Sequence, residues 1–551
     1  MTTALLSTSL LVACADENDP ATWVKRLDDP ARRSEAIGRL KGFFEMAMQD
    51  AKNNREDPKL KKVLDVSAEP LAKTYTAGGL DEKTRKDLIK LIADMRDPKT
   101  TSAFAKAFND FEPGKNDDDV RYAAQAMSGL AKENKLTDQV AIDALWTCFA
   151  KFQPSKAKSI NLVKDLADAV LTVKHPSYAP KAIEKIGIEV RDPKSPQEGL
   201  DQIQFWQATS IRLLAKLKHT PAVKALVKVI LTPTKLDLRP VTNDALMKMP
   251  VEAEPVLISA LTGSDPELAK MGAAFGPDKA HLAILADSLA YLSRPKGKEA
   301  ILDMLGKAEN DTQRAIMAQS LIRYPTDKKI TDAYLGAYGK IPANTPIALM
   351  NGIDGHAALL QAAAQFYQPD LTAWVLKEIN AAKGEQAEAM HLFALEAAIK
   401  LMPPDKVEEV GAAVKKHGTP LEQTKFDKAK EATDKCKQDA ACYVGILDEP
   451  IPSTPDTAKF KAVKACWMAA AYGKDDTKAA LLGKIEKIKD GVIRLSIVQV
   501  IDHLAPNGDE AAATALEKIV AADVASGNAA QIAADDALSK VALMLRARAL
   551  P

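Results

Sequence analysis

The amino-acid sequence predicts an all-α fold, a superhelix of stacked helical hairpins, and three observations carry that prediction. First, a phrase recurs in which an Asp turn is followed by Arg and then by small and apolar residues at helical spacing. It reads Asp29-Pro30-Ala31-Arg32-Arg33-Ser34-Glu35-Ala36-Ile37-Gly38-Arg39-Leu40, and again Asp118-Asp119-Val120-Arg121-Tyr122-Ala123-Ala124-Gln125-Ala126-Met127-Ser128-Gly129-Leu130. A repeated helix-turn unit marks an array in which each unit buries its apolar face only against its neighbours. Second, apolar stretches of helical period alternate with short polar breaks, and no stretch alternates with the period of a strand. Third, the chain is 46% hydrophobic but only 5% aromatic, which suits many thin Ala, Leu, Val and Ile contacts better than one bulky core. Such an array also escapes the size limit of a single core, which a chain of 551 residues would otherwise exceed.

The elements follow in chain order. Ala4 to Ala13 form an apolar run that ends at Cys14 and gives way to polar Ala15-Asp16-Glu17-Asn18-Asp19-Pro20. The run is shorter than the roughly 20 apolar residues that span a bilayer. Leu11-Val12-Ala13-Cys14 resembles the lipobox of bacterial lipoproteins, and that resemblance implies residues 1–13 as a signal peptide, Cys14 as the lipidated residue and 14–20 as a short linker. Ala15 after the Cys resembles the sorting pattern of lipoproteins sent to the outer membrane. Acyl chains contribute about 0.8 kcal/mol per buried methylene, so such an anchor would be effectively permanent.

From residue 21 to residue 551 the pattern predicts one helical-repeat array. Trp23-Val24 is expected to cap its first hairpin. Asp97-Pro98, Asp192-Pro193 and Asp265-Pro266 read as turns between helices, because Asp caps a helix start and Pro fits its first turn. Arg212 to Leu217 followed by His219-Thr220-Pro221 and Ala222 to Val227 reads as helix, tight turn, helix; Asp244 to Ile258 and Val492 to Leu516 repeat that arrangement. Residues 110–116, 192–196 and 341–346 read as loops, and the proline-rich stretch near 447–456 as a break between sub-arrays. The Ala-rich stretch Ala529 to Leu550 is expected to cap the far end.

These units resemble HEAT repeats. Asp119-Val120-Arg121-Ala124 matches that family's turn and first helix, Asp29-Pro30 with Arg33, Ala36 and Leu40 matches it too, and Asp311 with Arg314, Ala315 and Ala318, and Val492 with Arg494, match more loosely. The resemblance covers nearly everything after residue 20 and implies a right-handed, armadillo-like α-α superhelix. Roughly a dozen hairpins would make an arc of about 100 Å. Arg33, Arg121, Arg314 and Arg494 are read as architectural, bonding neighbouring turns. Phe205-Trp206 and Trp467 are read as core fillers rather than contact residues.

Charge excludes one class of partner. With 75 Lys plus Arg against 74 Asp plus Glu, no global field draws the chain to nucleic acid. Chemistry-bearing clusters are sparse. No His-Glu dipeptide occurs among the seven histidines, so neither a metal site nor a catalytic residue is expected. The glycine-rich Asn351-Gly352-Ile353-Asp354-Gly355-His356 lacks a phosphate-loop Lys and reads as a connector, and Asn116 to Asp119 reads as helix capping rather than a calcium loop. Cys436 and Cys442 flank a probable turn and would pair in an oxidising compartment, with Cys436 to Cys466 as the other pairing.

These readings predict a non-enzymatic scaffold, tethered to the bacterial cell envelope through lipid at Cys14, that binds a protein or peptide and needs no cofactor and no small-molecule substrate. Two alternatives stay open. One is a HEAT-like enzyme or enzyme subunit of the lyase or DNA-glycosylase kind, and the other is a cytoplasmic scaffold if the lipobox is fortuitous.

Overall fold

The computed structural model describes residues 16–157, 160–188, 197–383, 387–527 and 529–550, so Cys14 and the run before it lie outside the described residues. The chain forms two compact units, one ending at Leu217 and one starting at Lys218. The proline-rich stretch near 447–456 falls inside the second unit.

The first unit runs α1 (Pro20–Lys25), α2 (Arg33–Asp50), α3 (Pro58–Ala77), α4 (Glu82–Met95), α5 (Thr101–Asn109), α6 (Asp117–Lys132), α7 (Gln139–Lys151), α8 (Ile160–Val173), α9 (Tyr178–Gly187) and α10 (Gln197–Leu217). Helices pack on their sequence neighbours and again two places along: α3 on α5, α4 on α6, α5 on α7 and α6 on α8. That double pattern is the stacking of hairpins into a solenoid. The starts follow from sequence: Asp57, Asp81 and Asp138 accept backbone N–H groups of the helices they precede, and Pro58 occupies a first-turn position where its missing N–H costs nothing. Trp23 is buried under the Arg26 and Arg39 guanidiniums, 4.1 and 4.9 Å from its ring, and its indole N–H donates to the Glu17 carbonyl. Asp119, expected to cap a helix, is instead buried within α6, where the Tyr75 hydroxyl donates to it at 2.6 Å and Arg85 pairs with it.

The second unit runs α11 (Val223–Ile230), α12 (Arg239–Met247), α13 (Pro250–Thr262), α14 (Pro266–Gly272), α15 (Ala280–Leu292), α16 (Pro295–Gly306), α17 (Asp311–Leu321), α18 (Lys328–Tyr338), α19 (Gly355–Ala362), α20 (Leu371–Ala381), α21 (Ala387–Leu401), α22 (Val407–His417), α23 (Pro420–Cys436), α24 (Ala440–Ile446), α25 (Phe460–Tyr472), α26 (Asp475–Ile485), α27 (Gly491–His503), α28 (Glu510–Ser526) and α29 (Ala529–Ala549). From α15 to α29 each odd-numbered helix packs on the next odd one, with even-numbered helices behind them. Between α18 and α19 lies a minimal antiparallel pair, β1 (Pro346–Ile347) and β2 (Ile353–Asp354), with Ile347 opposite Ile353.

The stack does not stay open. Helix α29 packs back on α12, α13 and α15, so the odd-numbered helices form a closed circuit where the sequence predicts an arc. The stretch expected as a terminal cap is therefore the closing segment. The physical reason is a buried cation: Arg294 donates to the carbonyls of Ala547 (3.1 Å) and Leu550 (2.7 Å), groups that the end of α29 cannot pair internally. Its Nε donates to Glu254 at 3.1 Å, and the other Glu254 oxygen accepts the Gly297 N–H at 2.9 Å. Gly508, at φ +80°, lies so close to α29 that a Cβ there would sit 2.3 Å from the Ala549 nitrogen. Arg494, fully buried, joins α27 to Asp523 of α28 at 2.6 Å and to Asp535 of α29 at 3.4 Å.

Removing Arg294 leaves Glu254 buried without its charge partner and strips two carbonyls of their donor. Arg294→Ala is expected to cost about 3–5 kcal/mol in urea unfolding of the second unit, with amide protection in α29 falling first by hydrogen exchange. Gly508→Ala is expected to weaken the same amides by roughly 2 kcal/mol or more, because a left-handed backbone and a backbone clash coincide there. Unchanged protection in α29 in both variants would show that the closure does not depend on these contacts.

Candidate functional site

Inside the circuit the odd-numbered helices leave a cavity of about 810 Å³. Helical spacing sets its wall: Phe460, Val463 and Trp467 lie on one stripe of α25, and Val492, Leu495, Ser496 and Gln499 on one stripe of α27. Opposite them stand Gln319 of α17, Gln361 of α19 and Gln365 just beyond it. Four large apolar side chains of this wall are open to solvent: Leu349 at 39%, Leu421 at 52%, Val492 at 41% and Leu495 at 41%.

The orientation of α25 is fixed from behind. Lys464 is fully buried, and its ammonium donates to the carbonyls of Ile399 (3.1 Å), Lys400 (2.9 Å) and Met402 (2.7 Å) at the end of α21. Burial draws its pKa far below the usual lysine range, while the carbonyl end of the helix, unpaired within α21, offers it acceptors. On the cavity side, Trp467 donates its indole N–H to the Ala364 carbonyl at 2.9 Å.

One carboxylate of the wall is clamped. Glu396 bonds the ammonium groups of Lys400 and Lys425, each at 2.7 Å. Burial pushes its carboxyl up, but the two lysines outweigh that and hold it at about 2. It is ionised at neutral pH and supplies charge rather than a proton. Lys400 also sits 4.7 Å from the Trp467 ring and Lys425 5.7 Å from the Phe460 ring.

A smaller hollow of about 200 Å³ adjoins the cavity; Gln365, Leu495 and Gln499 line both. Its wall carries Arg323, Asp502, His503, Lys540 and Arg548. The His503 ring lies tilted against Tyr367, centroids 4.5 Å apart, and Tyr367 lies 5.5 Å from Trp467. Burial, with Arg548 adding to it and Asp502 opposing, lowers the His503 imidazole to about 4.

The expected site residues are distributed differently. Cys14 lies outside the described residues. Cys436 and Cys442 form a disulfide with Cα atoms 5.4 Å apart, joining α23 to α24 across a turn whose Asp439 caps the second helix. Cys466, the other candidate partner for Cys436, is a free buried thiol, as is Cys148; burial pushes both up to about 12. Neither lies with the disulfide in any shared site. Among the described residues no group of three or more His, Cys, Asp or Glu is placed to hold a metal ion, and no helix is long and apolar enough to cross a membrane. The arginines bond within the array: Arg33 to the Leu27 carbonyl, Arg314 to the Ala308 carbonyl and to Asp311, and Arg121 pairs with Asp118 at 3.7 Å. Trp206 is part-buried and donates to the Phe149 carbonyl at 3.0 Å. The cavity itself was missed in the sequence: Asn351 and Ile353, read as connector, form part of its wall beside Leu349.

The fold defines the class: an all-α helical-repeat solenoid. No family model matches the chain, and no curated protein matches it. Among solved structures, a circular tandem repeat protein with novel repeat topology and enhanced subunit contact surfaces aligns over 93% of this chain and 96% of its own, at 11% identity and a TM-score of 0.15. A score that low carries no argument about this chain.

The His503 environment sets a pH dependence. In the folded chain the imidazole titrates near about 4, against 6.5 as the ordinary value, so above 6.5 both folded and unfolded states are neutral there. As pH falls from 6.5 toward 4 the unfolded state alone takes up the proton, and stability is lost across that window. His503→Gln is expected to flatten this part of the stability–pH curve relative to the unchanged chain. Parallel curves between pH 7 and 4.5 would refute the assignment.

Proposed function

We propose that the chain is a non-enzymatic, HEAT-like scaffold that takes a peptide segment of a partner protein into the cavity of its second unit, and that lipid at Cys14 tethers it in a bacterial cell envelope. The observation that carries the peptide reading is the wall itself. Four solvent-open apolar side chains share the wall with four glutamines, Gln319, Gln361, Gln365 and Gln499. Exposed apolar surface in a concave site favours binding. Each glutamine amide both donates and accepts, as a peptide backbone requires. A volume of about 810 Å³ admits a short segment and not a folded domain.

The lyase or glycosylase alternative draws little support from this wall. Lys400 and Lys425 are engaged by Glu396, and that carboxylate is too acidic to serve as a proton donor at neutral pH. A phosphate-tracking groove would present cations without such partners.

Panning a displayed peptide library against the full chain tests the reading. Retained peptides should bind Leu495→Asp at least roughly tenfold more weakly, a loss of about 1.4 kcal/mol, and Val140→Asp, on an exposed site of the first unit, should bind them unchanged. Salt-sensitive duplex DNA binding with no peptide retained would reverse the ranking.

The address has its own test. A palmitate analogue should label the chain and not Cys14→Ser, and protein taken from the envelope without reductant should yield a peptide joining Cys436 to Cys442. Unlabelled, soluble protein with both of those thiols alkylated would overturn the envelope reading and leave the peptide reading intact.

A further inference from the structure

We infer that the smaller hollow of the second unit is a carboxylate site, which holds the C-terminal carboxylate of a peptide whose preceding residues lie in the adjoining cavity. This rests on the peptide-binding reading and adds which end of the peptide enters and what receives it.

The hollow is built by two helix faces. Ala537, Lys540, Val541, Met544 and Arg548 lie on one stripe of α29, and Leu495, Val498, Gln499 and Asp502 on one stripe of α27. Arg323, just after α17, completes the set of cations. Three cations thus face one carboxylate, Asp502. His503 is part-buried, and with its imidazole lowered to about 4 it is neutral at physiological pH and adds no charge. Tyr324 and Tyr367, the remaining titratable groups of the wall, are pushed up by burial and stay neutral. The hollow carries a surplus of positive charge within a chain whose formal net charge is +1.

The cations are not fully used. Arg548 pairs with Asp502 through its terminal nitrogens, and its side chain is only 4% exposed. Its Nε–H is buried and has no hydrogen-bond partner. Lys540 lies 4.0 Å from the Tyr291 ring, and among the described residues no carboxylate forms an ion pair with it. Arg323 lies 3.9 Å from the same ring and has Asp287 at 3.6 Å. A partly buried ammonium without a counter-charge is costly, and an anion in the hollow relieves it. Lys540 gives a carboxylate a charge-assisted donor, and Arg323 and Arg548 add to the positive charge around it.

Size and continuity select the occupant. A hollow of about 200 Å³ admits the end of a peptide and not a folded domain. Ile322, Val498, Val541 and Met544 give its last side chain apolar walls. Gln365 and Gln499, shared with the larger cavity, stand where the main chain would leave the hollow. The site therefore selects a peptide with a free C-terminus and an apolar last residue.

The test uses the full chain and a synthetic library of six-residue peptides, made once as free acids and once as C-terminal amides. Free acids with an apolar last residue should be enriched and should bind at least roughly tenfold more tightly than the matching amides. Lys540→Gln, which keeps a polar side chain at a partly exposed position, should erase that difference while leaving the amides and the melting temperature unchanged. Equal binding of acids and amides overturns the carboxylate site and leaves the peptide reading standing. Retention of neither form overturns both. Displacement of the acids by inorganic phosphate, at a concentration where acetate does nothing, overturns the carboxylate assignment in favour of a phosphate site.

Discussion

Everything distinctive about the second unit depends on one buried cation meeting the end of one helix. Arg294 reaches the carbonyls of Ala547 and Leu550, and Glu254 neutralises it from behind. Without that contact α29 would end in unpaired carbonyls where it packs back on α13 and α15. With it, the apolar and polar faces of α17, α19, α25 and α27 turn toward one another instead of toward solvent. The cavity, its clamped Glu396 and the hollow beside it are products of that closure.

The same device recurs. Arg55 donates to the carbonyls of Asp94 and Met95 at the end of α4, and Lys464 to three carbonyls at the end of α21. Short helices stacked side by side have many ends, and each leaves acceptors that the helix cannot satisfy. Long basic side chains from neighbouring helices and loops satisfy them and favour the negative end of the helix dipole. This explains why long basic side chains such as Lys464 and Arg294 are retained in the interior.

Sequence reading reached the helices and their starts because those depend on local chemistry. Asp97 and Asp265, each followed by Pro, cap where they stand, and Arg33 and Arg314 bond carbonyls only a few residues away. The closure was not legible because Arg294 binds backbone groups some 250 residues downstream, and a carbonyl acceptor leaves no mark on residue type. The division after Leu217 was hidden for a related reason, since Lys218 to Ala222 reads as one more inter-helix turn. The cavity wall was hidden because Val492 and Leu495 fit an ordinary apolar stripe. Periodicity says which residues share a face, and only the closed packing decides whether that face is covered.

Closure also limits how such a molecule can change in length. An open array of hairpins tolerates the gain or loss of a unit at any point, since each unit needs only its two neighbours. In the second unit, one hairpin added between Arg294 and α29 would carry Ala547 and Leu550 away from Arg294. The number of hairpins there is as much a fixed property as the identity of a buried side chain. Variation in length is left to the turns on the outside of the circuit.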